Sequence, residues 1–255
     1  MKSVLTIAGS DPSGGAGVQR DLKVFTEFGC NGLSVITALT AQNSKIVKGV
    51  VPVSGLFVKR QIEALLEEYT VGAVKTGMLA TDGIVRTLVM FFRKHSDIKK
   101  NLVIDPVITS TSGYLLLEKK GIARLKDELI PLAKVVTPNL YEASVLSGVK
   151  IRGIEDVYNA AGEIKKLGCR SVLVKGGHLN TRGKGYGGKV QGMAVDVFYD
   201  GREFKVFIAE RVKKDLHGSG CILSAAIAAG LAKGDDIKGA IRSAKKYITR
   251  LIRDD

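Results

Sequence analysis

Short apolar runs alternate along the chain with longer stretches in which apolar residues recur every three or four positions. Unbroken runs are typical of strands buried on both faces of a parallel sheet, and the longer pattern is typical of amphipathic helices. The runs are SVLTIAG, LSVITAL, GAVKTGM, NLVIDPV, AKVVTPN and SVLVKGG. The helices predicted between them are Val18 to Phe28, Leu56 to Tyr69, Gly83 to His95, Gly121 to Leu129 and Val157 to Leu167.

The C-terminal part of the chain shows a different pattern. The segment MAVDVFYDGREFKVFIAE alternates apolar and polar residues around Asp200-Gly201, which predicts a β-hairpin. Two further helices are predicted, Gly218 to Ala232 and Ile237 to Ile252. Right-handed crossovers place helices on both faces of a parallel sheet. We therefore expect one α/β domain over residues 1–255, with a mostly parallel central sheet and an antiparallel edge hairpin.

Composition narrows the class of protein. No apolar run approaches the about 18 residues that span a membrane, and the N-terminus enters the first strand directly, so we expect a cytoplasmic protein that binds no membrane. The three widely spaced cysteines argue against a disulfide framework and a thiolate zinc site. The net charge of +14 is typical of nucleic-acid binding. However, the basic residues are dispersed among acids, so we expect no nucleic acid and a small-molecule ligand.

The stretch IAGSDPSGGAGVQRDL, residues 7–22, has the strand, loop and helix pattern of a phosphate-binding segment. It fits neither common nucleotide motif. Arg20 stands where the dinucleotide motif has its third glycine, and Gly15 and Ala16 stand where a P-loop has lysine and a hydroxyl residue. Asp21, one turn into the helix, is a candidate acceptor for a small polar molecule. A tight turn with nothing bound explains the glycines equally well.

A second glycine turn lies in KKDLHGSGCILSAAIAAG, residues 213–230, and opens the helix predicted from Gly218. The amides of Gly218, Ser219, Gly220 and Cys221 would point out of the helix N-terminus, toward an anion such as a phosphoryl group in transfer. A thiol in such a first turn typically has a depressed pKa, which makes Cys221 a candidate catalytic residue. The alternative is that Cys221 is a small core residue and the glycines only start the helix.

Polar residues follow several of the predicted strands. The carboxyl ends of parallel strands meet at one sheet edge, so we expect these side chains to converge there. They are Gln42, Asn43, Asp105, Asn139 and Lys175. The glycine-rich segment from Lys175 to Gly192 is predicted to be a mobile loop, either a lid or a plain surface excursion.

The chain contains, in order, TIAGSDPSGGAGVQRDLKVF, SVITALTAQNS, KTGML, VIDPV, TPNLYEA, VLVKGGH and HGSGC. With these motifs it resembles, over nearly its whole length, the hydroxymethylpyrimidine/phosphomethylpyrimidine kinases of thiamin biosynthesis. The resemblance implies a ribokinase-like three-layer sandwich, ATP, Mg²⁺ and a homodimer. It also implies phosphorylation of 4-amino-5-hydroxymethyl-2-methylpyrimidine and of its monophosphate. The alternatives are a pyridoxal kinase, whose substrate also carries a hydroxymethyl group on a nitrogen ring, and a basic nucleic-acid-binding protein.

The resemblance further implies roles for the residues at matching positions. Cys221 would be the base at the hydroxymethyl group, with the Gly218, Ser219 and Gly220 turn as the anion hole. The residues implied to line the pyrimidine site are Gly9, Asp21, Gln42, Met78 and Val107. Those implied to lie near the ATP phosphates are Asp105, Asn139, Glu142 and Lys175, with Asp105 and Glu142 toward the metal.

The sequence departs from the usual family pattern in three places. Leu216 and Ser219 stand where threonine is more usual, and ITSTSGYLLL from Ile108 replaces a stretch that more often contains Ala-Lys-Ser-Gly. Ser219 keeps a hydroxyl, whereas Leu216 and residues 109–112 lose side-chain contacts. Taken alone, Glu142 can be interpreted as a helix cap and Met78 as a core residue.

Overall fold

A computed structural model describes residues 1–177, 193–210 and 218–254 of the protein. Its strands are β1 (Ser3–Ser10), β2 (Asn31–Gln42), β3 (Val47–Pro52), β4 (Val71–Thr76), β5 (Leu102–Ile104), β6 (Val135–Val136), β7 (Val172–Gly176), β8 (Met193–Tyr199) and β9 (Phe204–Glu210). Residues 178–192 and 211–217 lie outside the described part of the chain. The predicted lid loop beyond Gly177, and Leu216, therefore fall outside it as well.

The helices fall between the strands and after them. They are α1 (Gly17–Glu27), α2 (Gly55–Leu66), α3 (Asp82–Lys94), α4 (Ser96–Lys99), α5 (Lys119–Arg124), α6 (Leu140–Ser147), α7 (Ile154–Lys166), α8 (Ser219–Lys233) and α9 (Ile237–Asp254). Each predicted helix is present, and all except the one predicted over Gly121 to Leu129 have both ends within three residues of the prediction. The helix predicted to end at Leu129 is divided, because a π-helical turn over Leu125–Leu129 follows α5.

The strands form one sheet in the order β3-β2-β1-β4-β5-β6-β7-β8-β9. The pairs from β2 through β7 are parallel, and the β8–β9 hairpin adds an antiparallel edge, as predicted. A second antiparallel edge, β3 against β2, was not predicted. Its sequence VKGVVP is short, contains Gly49, ends in a proline and shows no clean alternation, so it carries little strand signal.

Helices cover both faces of the sheet and create two separate apolar cores. One core lies between the sheet and α2, α3, α6 and α7, and the other lies between the sheet and α1, α8 and α9. This arrangement confirms the predicted three-layer sandwich. No helix in the described part of the chain is long and apolar enough to cross a membrane.

Helix α8 is buried along almost its whole length, which explains its alanine-rich sequence. Small side chains let it lie close to the sheet: a Cβ atom added to Gly72 in β4 would lie 3.3 Å from the Cβ of Ala232. Larger side chains on α8 would push this helix away from the sheet and from the strand ends. The small residues of α8 therefore place its N-terminus directly over the carboxyl edge of the sheet.

Candidate active site

Strand alternation places a row of polar side chains on the face of the sheet that α1 and α8 cover. Thr6 and Lys75 are register partners in β1 and β4, and Lys75 is paired with Val103, two residues before Asp105. We call these residues the polar row: Thr6, Lys75, Asp105, Thr137 and Lys175. Four of these residues are buried, and Lys175 is half-buried. Their apolar strand neighbours point into the opposite core.

A buried ion pair joins the polar row to α1. The Lys75 Nζ donates to the Asp21 Oδ2 over 2.8 Å, and both side chains are fully buried. Thr6 donates its hydroxyl to the same oxygen over 2.5 Å. Although burial opposes the charged form, the Asp21 carboxylate holds the pKa of Lys75 above its usual value. The other Asp21 oxygen, Oδ1, is buried without a hydrogen-bond partner among the described atoms.

A second ion pair lies within the polar row, and a hydrogen bond from Ser224 joins it to α8. The Lys175 Nζ donates to the Asp105 Oδ1 over 2.7 Å, and the Ser224 hydroxyl donates to the Asp105 Oδ2 over 3.1 Å. Thr137 adds a longer hydrogen bond of 3.4 Å to Oδ1. Burial opposes ionisation of Asp105, but Lys175 and Lys75 together hold the pKa of this carboxyl below its usual value.

Asn139 and Glu142 lie at the start of α6, next to Lys175. They form a capping box: the Asn139 side chain accepts from the Glu142 amide over 2.9 Å, and Glu142 accepts from the Asn139 amide over 2.8 Å. Asn139 also pairs with Lys175 as an isolated parallel bridge. Burial raises the pKa of Glu142 to about 7, with Lys175 lowering it and Asp105 raising it. The helix-cap interpretation of Glu142 is thus correct. Its carboxyl is also close enough to the Lys175–Asp105 ion pair for both charges to shift its pKa.

The two glycine segments singled out in the sequence are in direct contact. Gly218 has a φ of +78°, and a Cβ atom added there would lie 2.0 Å from the Gly15 carbonyl oxygen. A Cβ atom added to Gly220 would lie 3.0 Å from the Lys175 Nζ. Only glycine at position 218 allows this approach. The first turn of α8, with Ser219 and Gly220 half-buried, therefore lies between the N-terminal loop and Lys175.

The depressed pKa expected for the Cys221 thiol is wrong. The side chain is half-buried in the first turn of α8, and burial raises its pKa to about 12. Lys75 and Lys175 lower this pKa, whereas Asp105 and Asp21 raise it. Because each nearby ammonium group is paired with a carboxylate, the cations do not outweigh the loss of hydration.

The residues implied for the pyrimidine site come from β1, α1, the end of β2 and a small apolar cluster. Gly9 lies against Met78, whose Sδ would be 2.9 Å from a Cβ atom added to Gly9. Met78 packs with Ala38 and Val107 in a cluster separate from the two main cores. Gln42 is half-buried at the end of β2, and its side chain makes no hydrogen bond to the other described residues of this set.

Sequence reasoning missed four residues of the site: Thr6, Lys75, Thr137 and Ser224. Lys75 carried a usable signal, because a lysine inside the run GAVKTGM needs a buried carboxylate partner. The two threonines and Ser224 have no such signal, since hydroxyl residues are common in strands and in small-residue helices.

The Mg²⁺ that the resemblance implies was tested against the donor set. Among the described residues no three His, Cys, Asp or Glu side chains form a metal cluster. Kinase Mg²⁺ is typically held by one or two carboxylates together with phosphates and water. Asp105 accepts three hydrogen bonds and keeps one lone pair, and Glu142 is beside it. The pair therefore fits a metal ion that takes most of its ligands from phosphate and water.

Comparison with known proteins agrees with this architecture. A family model described as phosphomethylpyrimidine kinase matches residues 11–255. The thiamine biosynthesis bifunctional protein ThiED of Geobacter sulfurreducens is 43% identical over 253 residues, covering 98% of this chain and 49% of that protein. The hydroxymethylpyrimidine/phosphomethylpyrimidine kinase of Aquifex aeolicus is 41% identical over 251 residues, covering 98% and 94%. The chain thus spans about half of the bifunctional relative and nearly all of the Aquifex kinase.

Two solved structures share the fold. Phosphomethylpyrimidine kinase from Clostridium difficile 630 superposes with a TM-score of 0.84 at 42% identity, covering 99% of this chain and 100% of that chain. Pyridoxal kinase from Staphylococcus aureus, in complex with AMP-PCP and pyridoxal, gives 0.86 at 35% identity, covering 100% and 88%. These structures confirm the ribokinase-like fold. Since the family model covers nearly the whole sequence, the chain belongs to the phosphomethylpyrimidine kinase family.

Proposed function

We propose that the protein transfers a phosphoryl group from ATP to the hydroxymethyl oxygen of 4-amino-5-hydroxymethyl-2-methylpyrimidine, and then phosphorylates the monophosphate to the diphosphate. One kinase domain over residues 1–255 catalyses both phosphorylations. The observation that carries this proposal is the position of the α8 N-terminus, wedged between the Gly15 loop and Lys175. This position brings an anion-binding turn, a thiol and an ammonium group next to the loop between Gly9 and Asp21, two of the residues implied for the pyrimidine site.

The polar contacts support an aminopyrimidine as the acceptor substrate. Asp21 Oδ1 is a buried acceptor without a protein donor, and the amino group of the pyrimidine is a donor that would satisfy it. Met78 and Val107 offer an apolar wall for the ring, and Gln42 adds an amide at the end of β2. Pyridoxal carries a phenolic hydroxyl in place of the amino group, and this hydroxyl can also donate to Asp21, so the choice between the two substrates rests on the kinetic comparison below.

The phosphate side is formed by α8, Lys175 and the residues around Asp105. Amides of Gly218, Ser219 and Gly220 would receive the oxygens of the group in transfer, and Lys175 would neutralise part of their charge. ATP is the co-substrate, with Asn139 near its phosphates. Bound Mg²⁺, held by Asp105 and Glu142, would neutralise and orient the ATP phosphates. The AMP-PCP complex of the related pyridoxal kinase supports the choice of nucleotide.

Cys221 is the proposed base. As the hydroxymethyl oxygen forms its bond to phosphorus, its O–H bond breaks and the proton passes to the Cys221 Sγ, while ADP leaves. With a pKa of about 12, only a small fraction of the thiol is ionised near neutrality, but that thiolate is basic enough to accept the proton. Because phosphoryl transfer depends mostly on positioning and charge neutralisation, a small thiolate fraction is compatible with turnover.

The oligomer is proposed to be a homodimer formed through the β2–β3 edge. Leu39 and Val51 are register partners on these strands and are 53% and 66% exposed, although both are large apolar residues. Ile46, Leu56 and Phe57, in the turn and at the start of the following helix, are also exposed. A group of exposed apolar side chains at one sheet edge is typical of a surface that another protein covers, here a second copy of this chain.

The cytoplasm is the proposed compartment. All three cysteines are free thiols, and a catalytic thiol needs reducing surroundings to remain active. The proposed partners are the pyrimidine and ATP, without nucleic acid or membrane.

The first prediction concerns the substrate. In an assay that couples ADP release to NADH oxidation, the hydroxymethylpyrimidine and its monophosphate should both be phosphorylated, with a kcat/KM above that for pyridoxal. Asp21→Asn should reduce this preference by about 5- to 100-fold, the range for one buried group that loses its partner. A preference for pyridoxal would make the protein a pyridoxal kinase. No transfer to any of the three, with salt-sensitive RNA or DNA binding, would favour the nucleic-acid alternative.

The second prediction concerns Cys221. Cys221→Ala should lower kcat by about 10²- to 10⁴-fold with little change in the KM for ATP, because the backbone amides remain. The kcat of the unmodified enzyme should rise with pH between 7 and 9, about tenfold per unit at most, since the thiolate fraction grows below its pKa. The residual rate of the variant should lack this rise. Cys30→Ala, at a buried site, is the control, and a Cys221→Ala enzyme with most of its kcat would exclude the base role.

The third prediction concerns Glu142. Its pKa is about 7 in the folded protein against 4.5 when unperturbed, so between these values the folded state binds more protons than the unfolded state. The free energy of unfolding contributed by this group therefore falls as pH rises from about 4.5 to 7. Glu142→Gln, which keeps the cap, should be more stable than the parent by about 1 to 3 kcal/mol at pH 8 and equal to it at pH 4.5. Urea unfolding at both pH values measures this, and equal stability at pH 8 would contradict it.

The fourth prediction concerns the dimer. Sedimentation should give about twice the 27.3 kDa mass of one chain. Replacing Leu39 and Val51 together by aspartate should produce a monomer that keeps its circular dichroism spectrum. Met90→Asp, at an apolar side chain of α3 that is 54% exposed, is the matched control and should remain dimeric. A monomeric parent protein would rule out the dimer, and a dimeric double variant would place the interface elsewhere.

A further inference from the structure

A groove outside the candidate active site follows the outer side of α9. The end of α1 and the strand β9 form its walls, and its volume is about 870 Å³. This volume is within the range of about 300 to 1,000 Å³ that is common for small-molecule sites. None of the residues assigned to the candidate active site lines it. We call it the α9 groove and define it by Phe28, Phe207, Arg242, Lys246, Tyr247 and Arg250.

Aromatic side chains supply an apolar surface in the α9 groove. The rings of Phe28 and Tyr247 meet edge to face with 5.1 Å between their centres. Phe207 is mostly buried on the β9 side, and Ile208 beside it is 50% exposed. The Arg250 guanidinium lies 5.9 Å from the centre of the Tyr247 ring. Such a surface is suited to the face or edge of a planar ring.

Cations outnumber acids around this surface, and the acids already have partners. Glu210 is paired with Arg253, and Glu27 accepts the hydroxyl of Tyr247 over 2.8 Å. Lys245, also in the lining, is buried against Asp196 behind the groove. Among the described lining residues, Glu27 is thus the one carboxylate without a cation partner, and its single charge leaves most of the charge of Arg242, Lys246 and Arg250 unneutralised.

Three of those cations form one row on α9. Arg242, Lys246 and Arg250 are four residues apart, are exposed, and have no ion pair within the described parts of the chain. Like charges at this spacing repel each other, so the row lowers the stability of the helix. Packing does not require these residues, because α9 buries a different face through Ala240, Ile241 and Ala244. A bound anion would relieve the repulsion, and guanidinium groups match phosphate oxygens in geometry.

We propose that the α9 groove is a second binding site, separate from the active site, for a small aromatic phosphate. The ring would lie against Phe28, Phe207 and Tyr247, and the phosphate would be bound by Arg242, Lys246 and Arg250. A phosphorylated pyrimidine and a nucleoside monophosphate share this chemistry. The proposal does not depend on the activity proposed above.

Hydrogen exchange of the full chain tests the proposal because it reports the two sites separately. The probes are hydroxymethylpyrimidine monophosphate, AMP and inorganic phosphate, each titrated against the unmodified protein. At least one of the aromatic phosphates should slow exchange in residues 204–210 and 237–253 in a saturable manner. The groove variant Arg242→Ala/Lys246→Ala/Arg250→Ala should require at least tenfold more of the same probe. The control variant Arg60→Ala/Lys94→Ala/Lys100→Ala removes the same charge from exposed positions on α2, at the end of α3 and directly after α4, and should behave as the parent does.

The pattern of protection decides the outcome. Stronger protection by the pyrimidine phosphate or by AMP identifies the source of the ligand, and either result supports the site. Equal protection by inorganic phosphate would indicate an adventitious ion only and would overturn the proposal. No protection of these residues by any probe, or equal protection in the parent and the groove variant, would also overturn it. Protection confined to residues 218–223 would show binding at the active site alone and would therefore overturn the proposal.

Discussion

Lys75, which is fully buried, and Lys175, which is half-buried, impose the main constraint on this structure from beneath the first turn of α8. A buried ammonium group without a counter-charge costs several kcal/mol, so Lys75 and Lys175 each need a carboxylate from another element. Asp21 comes from α1, and Asp105 comes from the end of β5. Removing either carboxylate would leave a buried cation, and shifting α1 or β5 by one residue would do the same. The ion pairs therefore tie the register of the sheet to the position of α1, and the Ser224 hydrogen bond to Asp105 ties it to α8.

Close backbone approach is the second condition for this arrangement. A side chain at Gly218 would overlap the Gly15 carbonyl group, and a Cβ atom added to Gly77 would lie 2.9 Å from the Lys75 Nζ. The α8 N-terminus can thus reach the strand ends only where both sides lack side chains. A helix N-terminus placed this way supplies fixed dipoles that need no reorganisation when charge develops beside them. The glycines of the two loops are the structural reason that these dipoles and the ion pairs share one small volume.

Most of the strands and helices could be predicted from the sequence because each depends on a local pattern, whereas the roles of the site residues came from the family resemblance and remain predictions. Unbroken apolar runs marked the parallel strands, and Asp200-Gly201 marked the hairpin. The partners of the lysines could not be predicted in this way, since the contact between Lys75 and Asp21 depends on which strands are neighbours. The expectation of a lowered Cys221 pKa was wrong for a related reason. The position of Cys221 in a first helical turn can be predicted from the sequence, whereas its burial and the pairing of the nearby cations are tertiary properties. The β3 strand was missed because it is a strand only through its pairing with β2, and the sequence of β3 does not indicate that pairing.

The charges of the candidate site are consistent with the proposed Mg²⁺. Lys75 and Lys175 are balanced by Asp21 and Asp105, and Glu142 adds a partial negative charge near neutral pH. The site therefore has almost no net positive charge of its own, although the chain carries +14. A nucleoside triphosphate carries several negative charges, which the α8 amides alone cannot neutralise. A divalent cation between Asp105, Glu142 and the phosphates would supply the missing charge, while the excess lysines and arginines remain on outer surfaces such as that of α9.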